Sequence, residues 1–152
     1  MATSLKQRIE EAFANVPYPG DEHITHCPYR CSECTRVAAF FKGRTMTDLT
    51  LEELRVQHVA LSLFTPEAFH YFLPAFMRVS MDRYEKGDLI PDGIRFHFEY
   101  NAEIQGHFVV RMSKFTPAQR KTIIDYLIQM ESKGAGSSEH AIGMLSEESA
   151  FA

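Results

Sequence analysis

The chain has no run of roughly 18 uncharged apolar residues, the length a membrane span requires, and its first residues, MATSLKQRIEEAF, contain no apolar stretch of a secretory leader. A cytoplasmic location without a membrane partner is the expectation. Basic residues are in the minority, 16 Lys and Arg against 20 Asp and Glu for a net charge of −4, and they are scattered. Phosphate affinity needs clustered cations, so the composition argues against nucleic-acid binding. The familiar catalytic signatures are missing too: there is no His-Glu-x-x-His, no glycine-rich phosphate loop, no Gly-x-Ser-x-Gly and no Asp-x-Asp calcium loop. These absences weigh against an enzyme of a common class. Cysteine is scarce, with three in the chain, and all lie within eight positions, where they cannot staple distant segments.

What the sequence does have is the material of a folded domain. Its 152 residues, 45% hydrophobic and 24% charged, suffice for one core and are too few for two independent ones. Helix starts are marked by side chains that satisfy orphan backbone N–H groups. Ser4-Leu-Lys-Gln7 and Thr50-Leu-Glu-Glu53 are capping boxes, and Thr65-Pro66 and Thr116-Pro117 each set a cap ahead of a proline at the first helical position. The spacing predicts helices from Leu5 to about Asn15, from Ser32 to Phe41 with a stop at Gly43, and from Leu51 through Leu61. It also predicts a helix after Pro117 carrying Ile123, Ile124, Leu127 and Ile128. The segment after Pro66, AFHYFLPAFMRVSMDRYEKG, is apolar almost all round and should be the central element, kinked or broken at Pro74. From Ile94 to Tyr100 apolar and polar residues alternate, and Phe108, Val110 and Met112 repeat the alternation, so a β-hairpin is expected there. The expected fold is therefore an α-rich α+β domain: about five helices around a proline-kinked aromatic helix, with one β-hairpin. A single globular domain would span 1–133, and the Gly134–Ala152 tail, which has three Glu and no Lys or Arg, would be mobile.

Chemistry concentrates in His23-Ile-Thr-His-Cys-Pro-Tyr-Arg-Cys-Ser-Glu-Cys34, which holds all three cysteines and two histidines. Cys27-x3-Cys31-x2-Cys34 resembles the cluster motif of radical S-adenosylmethionine enzymes. Those enzymes are built on a barrel of alternating strands and helices, which this pattern lacks, and Glu33 stands where an aromatic is usual. Zinc fits better. It is tetrahedral, prefers thiolate and imidazole, and takes Cys3His sets at short spacing, so His23, Cys27, Cys31 and Cys34 make a complete site within the 16–34 loop. His26 competes with His23 as fourth ligand; His58 and His70 are further candidates, although a buried histidine satisfied by a neighbour is the simpler reading of both. A straight helix would spread the four ligands over about 16 Å, and Pro28 favours the bend that would gather them. Structural zinc contributes about 10–16 kcal/mol in small peptides, comparable with the stability of a whole domain, so it could decide whether the loop is ordered. Reduced, separately packed thiols are the plain alternative. Cys31-x-x-Cys34 at a helix start also has the form of a redox pair, without the preceding strand of a thioredoxin-like unit.

Together, ECTRVAAFFKGRTMTDL, LRVQHVALSLFTPEAFHYFLPAFM and FTPAQRKTIIDYL resemble an uncharacterised bacterial family known only as a domain of unknown function, over roughly residues 6–130. The resemblance implies a small bacterial protein and brings no activity, cofactor or site residue. The functional expectation is a protein-binding or regulatory module with a structural zinc and a protein partner. An immunity-type protein neutralising a basic toxin is one form of it. A zinc-dependent hydrolase with an open metal position is the enzymatic alternative.

Overall fold

The computed structural model describes residues 3–26, 31–85, 88–99 and 105–146, with backbone alone at 105–107. Nine helices follow in order among them: α1 Leu5–Ala12, α2 Ser32–Phe41, α3 Leu51–Val56, α4 Ala60–Leu63, α5 Pro66–Asp82, α6 Leu89–His97, α7 Gln105–Ser113, α8 Pro117–Ser132 and α9 Glu139–Ser146. The caps read from sequence place most of these starts. Thr50 and Thr116 form reciprocal capping boxes with Glu53 and Gln119, Thr65 caps α5 ahead of Pro66, and Ser4 accepts from the Gln7 N–H at 3.1 Å. Gly43 just past α2 and Gly134 just past α8 take φ of +73° and +114°, the left-handed conformation that ends a helix cheaply only at glycine. The helix expected to run from Leu51 through Leu61 is divided by a turn at 57–59 into α3 and α4.

The hairpin is not formed. Among the described residues there is no β-strand, only an isolated bridge between Thr25 and Phe64, so the fold is all-helical and the α+β expectation is corrected. The reason lies in which residues are buried. A strand face would hide Phe96 with Ile94 and Phe98, but Phe96 is 51% exposed while Ile90, Ile94, His97 and Phe98 are buried at helical spacing. In the second half Phe108, Arg111, Met112 and Phe115 are buried at i, i+3, i+4 and i+7, and Val110 is 48% exposed. Pro91 sits in the first turn of α6, where its missing N–H is one of the helix's unpaired donors in any case. Tyr100 and residues 101–104 of the expected hairpin lie outside the described residues.

α5 is the hub, packing against α1, α3, α6 and α7, while α8 packs against α1, α6 and α9. It continues unbroken through Pro74, which is buried. One flank carries Phe72 and Phe76 into a cluster with Phe41 and Phe64, whose ring centroids stand 4.9 Å (Phe41–Phe72) and 5.4 Å (Phe64–Phe72) apart. The other carries Phe69 toward Phe98 and Phe115, at 5.9 and 6.2 Å. Such aromatic pairs add about 0.5–1.5 kcal/mol each beyond their burial. Ion pairs lace the outside: Arg8–Asp125 at 2.7 Å, Arg78–Glu10 at 2.7 Å, Arg44–Glu53 at 3.0 Å and Arg55–Asp88 at 3.0 Å each join segments distant in sequence or a loop to a helix. Of the stretch expected to be a mobile tail, residues 139–146 form α9, whose Ala141 and Leu145 are buried in the core against α8.

Two polar side chains on α5 face inward and each finds a partner on α8. The Ser80 hydroxyl donates to the Phe76 carbonyl at 2.7 Å and accepts from the Tyr126 hydroxyl at 2.8 Å. His70 meets Gln119, whose carboxamide orientation is fixed by its neighbours. The Ala12 carbonyl can only accept, so Nε2 of Gln119 donates to it at 3.0 Å, leaving Oε1 to accept from the Thr116 N–H at 3.0 Å and from Nε2 of His70 at 2.8 Å. One amide thus caps α8, satisfies α5 and holds the end of α1. Gln119→Ala removes a helix cap and orphans two partly buried groups. It should cost about 3 kcal/mol in urea denaturation, with Gln119→Glu, which keeps the two acceptor contacts and loses the donor, falling between the variant and the parent.

Candidate functional site

The segment before the cysteines is fastened to the start of α5. The His26 N–H donates to the Leu63 carbonyl at 3.2 Å and the Thr65 N–H to the Ile24 carbonyl at 3.0 Å, flanking the Thr25–Phe64 bridge. The Thr65 hydroxyl donates to the His23 carbonyl at 2.6 Å while accepting from the Ala68 N–H at 3.0 Å, so one side chain caps α5 and anchors the loop. Further back, the Gly43 N–H donates to the Tyr18 hydroxyl at 2.9 Å, which donates to Asp21 at 2.6 Å. Burial, and then this bond to Asp21, hold the Tyr18 pKa above its usual value.

On the other side of the gap Cys31 is the N-cap of α2. Its Sγ accepts the Cys34 N–H at 3.3 Å; Cys31 is exposed and Cys34 buried. An open cavity of about 560 Å³ is lined by Asp21, Glu22, Ile24 and Thr25 from the loop and by Cys34, Thr35 and Ala38 from α2, so the histidine-bearing segment and the cysteine turn are neighbours in space. Within that arrangement the His23 ring lies over Gly20, whose α-carbon has room for a β-carbon only at contact distance from it. Nε2 of His26 lies 3.4 Å from the Ser62 carbonyl. Cys27, the fourth member of the expected ligand set, lies outside the described residues. Among those described, no three His, Cys, Asp or Glu side chains converge as a metal site. The two other candidate histidines are placed elsewhere: His58 lines a groove with Arg55, Asp88, Leu89 and Ile90, and His70 is engaged by Gln119. Burial holds the His70 pKa below its usual value, and the Gln119 bond opposes that shift.

A second polar group was not legible in the sequence. His97 on α6 and Arg111 on α7 are 6% and 7% exposed, and they form a chain that runs from the exposed Ser62 of α4 inward: Ser62 Oγ to His97 Nε2 at 3.4 Å, His97 Nδ1 to Arg111 Nη1 at 3.0 Å. A serine beside a histidine resembles a nucleophile and its base, but the polarity here is reversed. A guanidinium only donates, so Nδ1 accepts, Nε2 bears the proton, and the imidazole donates to the Ser62 oxygen instead of withdrawing its hydrogen. The pair is structural. Arg111 lies with its guanidinium carbon 4.3 Å from the Phe69 ring centre, a cation–π contact, and its buried Nε has no hydrogen-bond partner among the described residues. Burial lowers its pKa to about 10, so it stays charged at neutral pH. Burial and the adjacent guanidinium push the His97 pKa down to about 3.

A family model described as "Family of unknown function (DUF6714)" matches residues 1–147. The chain belongs to DUF6714. The membership confirms the bacterial family of unknown function inferred from three segments and extends it across nearly the whole chain. No curated protein and no solved structure matches. No helix among the described residues is long and apolar enough to cross a membrane.

The sequence signal for His97 and Arg111 is their place in the i, i+3, i+4 sets Ile94–His97–Phe98 and Phe108–Arg111–Met112, which the strand reading turns into outward-facing positions. The burial has a pH consequence. His97 takes up its proton near 6.5 when unfolded and near 3 when folded, so between those values the unfolded chain binds one proton more. The stability this group supports is complete above about pH 6.5 and is lost as pH falls toward 3, at about 1.4 kcal/mol per pH unit. His97→Gln keeps an acceptor for Arg111 and a donor for Ser62. Chemical denaturation across pH 4–6 should show a slope shallower by about that amount, with the share from His70 remaining.

Proposed function

We propose that this DUF6714 protein is a non-enzymatic protein-binding module of regulatory type, in which a structural zinc ion closes the cysteine-bearing loop. The observation that carries the binding reading is an apolar surface around the 57–59 turn. Val56 and Val59 are exposed along one groove with Arg36 and Val37, and Leu89 is exposed in the groove on the other side of the turn. Phe96, seven residues beyond Leu89, continues the same face of α6. Exposed apolar side chains gathered in this way mark interaction sites more often than single ones do. A net charge of −4 favours a basic partner, which is the immunity-type form of the reading.

Zinc is supported by the shared cavity and by the Cys34 N–H directed at the Cys31 sulfur, a second contact that orients this ligand. The ligands are Cys27, Cys31 and Cys34 with His23 or His26. The His26 ring Nε2 is turned to the Ser62 carbonyl, while His23 has the better spacing from Cys27.

Protein purified under reducing, chelator-free conditions should contain one equivalent of zinc by elemental analysis. Cys31→Ala should lose both the metal and thermal stability, and His23→Ala and His26→Ala identify the fourth ligand. A metal-free wild type overturns the zinc reading, and a folded protein that keeps the metal with a bound water turns it into the hydrolase. For binding, the product of the adjacent gene is the partner to test by calorimetry. The doubly substituted Val56→Asp, Leu89→Asp protein, folded by circular dichroism, should bind it at least about tenfold more weakly. Unchanged affinity removes this face from the proposal.

A further inference from the structure

The geometry of the cysteine turn suits a chemistry that metal binding does not require. Cys31 is exposed at the N-cap of a ten-residue helix, and Cys34, one turn on, is buried on the wall of the cavity it shares with Asp21, Glu22 and Thr25. The Cys34 N–H already points at the Cys31 sulfur from 3.3 Å, which holds that sulfur over the first turn of the helix, beside the residue that carries the second thiol. Positions three apart at a helix start have α-carbons about 5 Å from each other, inside the 4.4–6.8 Å range of disulfides. The two thiols also differ in access, as sequential exchange requires: Cys31 is exposed to a small molecule, and Cys34 is buried.

We propose that Cys31 and Cys34 form a thiol–disulfide exchange pair whose substrate class is the disulfides of small thiols. The Cys31 thiolate attacks one sulfur of the substrate, a protein–substrate S–S bond forms, and the substrate's own S–S bond breaks with release of one thiolate. The Cys34 thiolate then attacks the Cys31 sulfur, closing the Cys31–Cys34 bond and releasing the second thiolate. The two protons lost by the cysteines pass through solvent to the two leaving thiolates. Two protein thiols are oxidised and one small disulfide is reduced to two thiols. Exchange itself does not depend on zinc. Its regulatory consequence does rest on the zinc reading, because closing this disulfide withdraws two ligands and frees the 16–34 loop from the metal.

The test is titration of the purified, as-isolated full chain with glutathione disulfide. Intact mass and peptide mapping follow the cysteines, and a chromogenic chelator reports zinc. The expected product has lost two hydrogens, maps to Cys31–Cys34, and reverts with dithiothreitol. Cys34→Ala should stall with one glutathione on Cys31, while Cys31→Ser should give neither adduct nor disulfide. A wild type that stays reduced under excess oxidant, a disulfide that recruits Cys27 instead, or an adduct on Cys34 in the Cys31→Ser protein overturns the proposal. Should the disulfide form in protein that never held zinc, exchange stands and the zinc reading falls. Should zinc be present and the disulfide form without releasing it, the pair is redox-active but the regulatory link is wrong.

Discussion

The carboxamide of Gln119 serves three helices at once, and the packing of the bundle depends on that service. α5 can occupy the centre because most of its surface is apolar, but His70 brings a ring N–H into a partly buried place between α5 and α8. An unpaired donor there would cost as much as several favourable contacts return. Gln119 removes that cost, and because the same group also caps α8 and takes the Ala12 carbonyl, the positions of α1, α5 and α8 are set by one side chain. Ser80 and Tyr126 repeat the arrangement two turns and more further along the same pair of helices.

The sequence made the helix starts legible because a cap is local chemistry: a hydroxyl, a proline and an amide within four residues announce themselves without reference to the rest of the chain. α6 and α7 were misread for a geometric reason. Positions i and i+4 share a face in a strand as well as in a helix, so Ile94 with Phe98 and Phe108 with Met112 satisfy both patterns. Only the residue between them discriminates, and here Phe96 and Val110 are apolar yet exposed. Apolar residues on a surface are common enough that this signal points the wrong way. The cysteine cluster was visible as composition. Its neighbours, Asp21, Glu22 and Ala38 around one cavity, were not, because they are brought there by the Thr65 hydroxyl and the bridge to Phe64.

The molecule places its polar chemistry in two different settings. Around His97 and Arg111 the groups are sealed in, their hydrogen-bond polarity is fixed by a guanidinium that can only donate, and the imidazole is held neutral. Around Cys31 and Cys34 the groups are graded from exposed to buried and open onto a cavity, which leaves room for an ion or a small molecule to arrive. The first setting constrains how α4, α6 and α7 meet. The second has the access that binding or exchange requires, and it stands on a loop whose other end is already secured.

The contacts that hold α1 all lie later in the chain. Glu10 pairs with Arg78, Arg8 with Asp125, and the Ala12 carbonyl with Gln119, across separations of 68, 117 and 107 residues. An eight-residue helix is too short to persist alone in water, so during synthesis this segment leaves the ribosome with its apolar stripe uncovered. It must wait until α8 has been made. α1 is thus made before every segment that holds it and is among the last to find its place, and the interval between is when the growing chain most needs shelter from other chains.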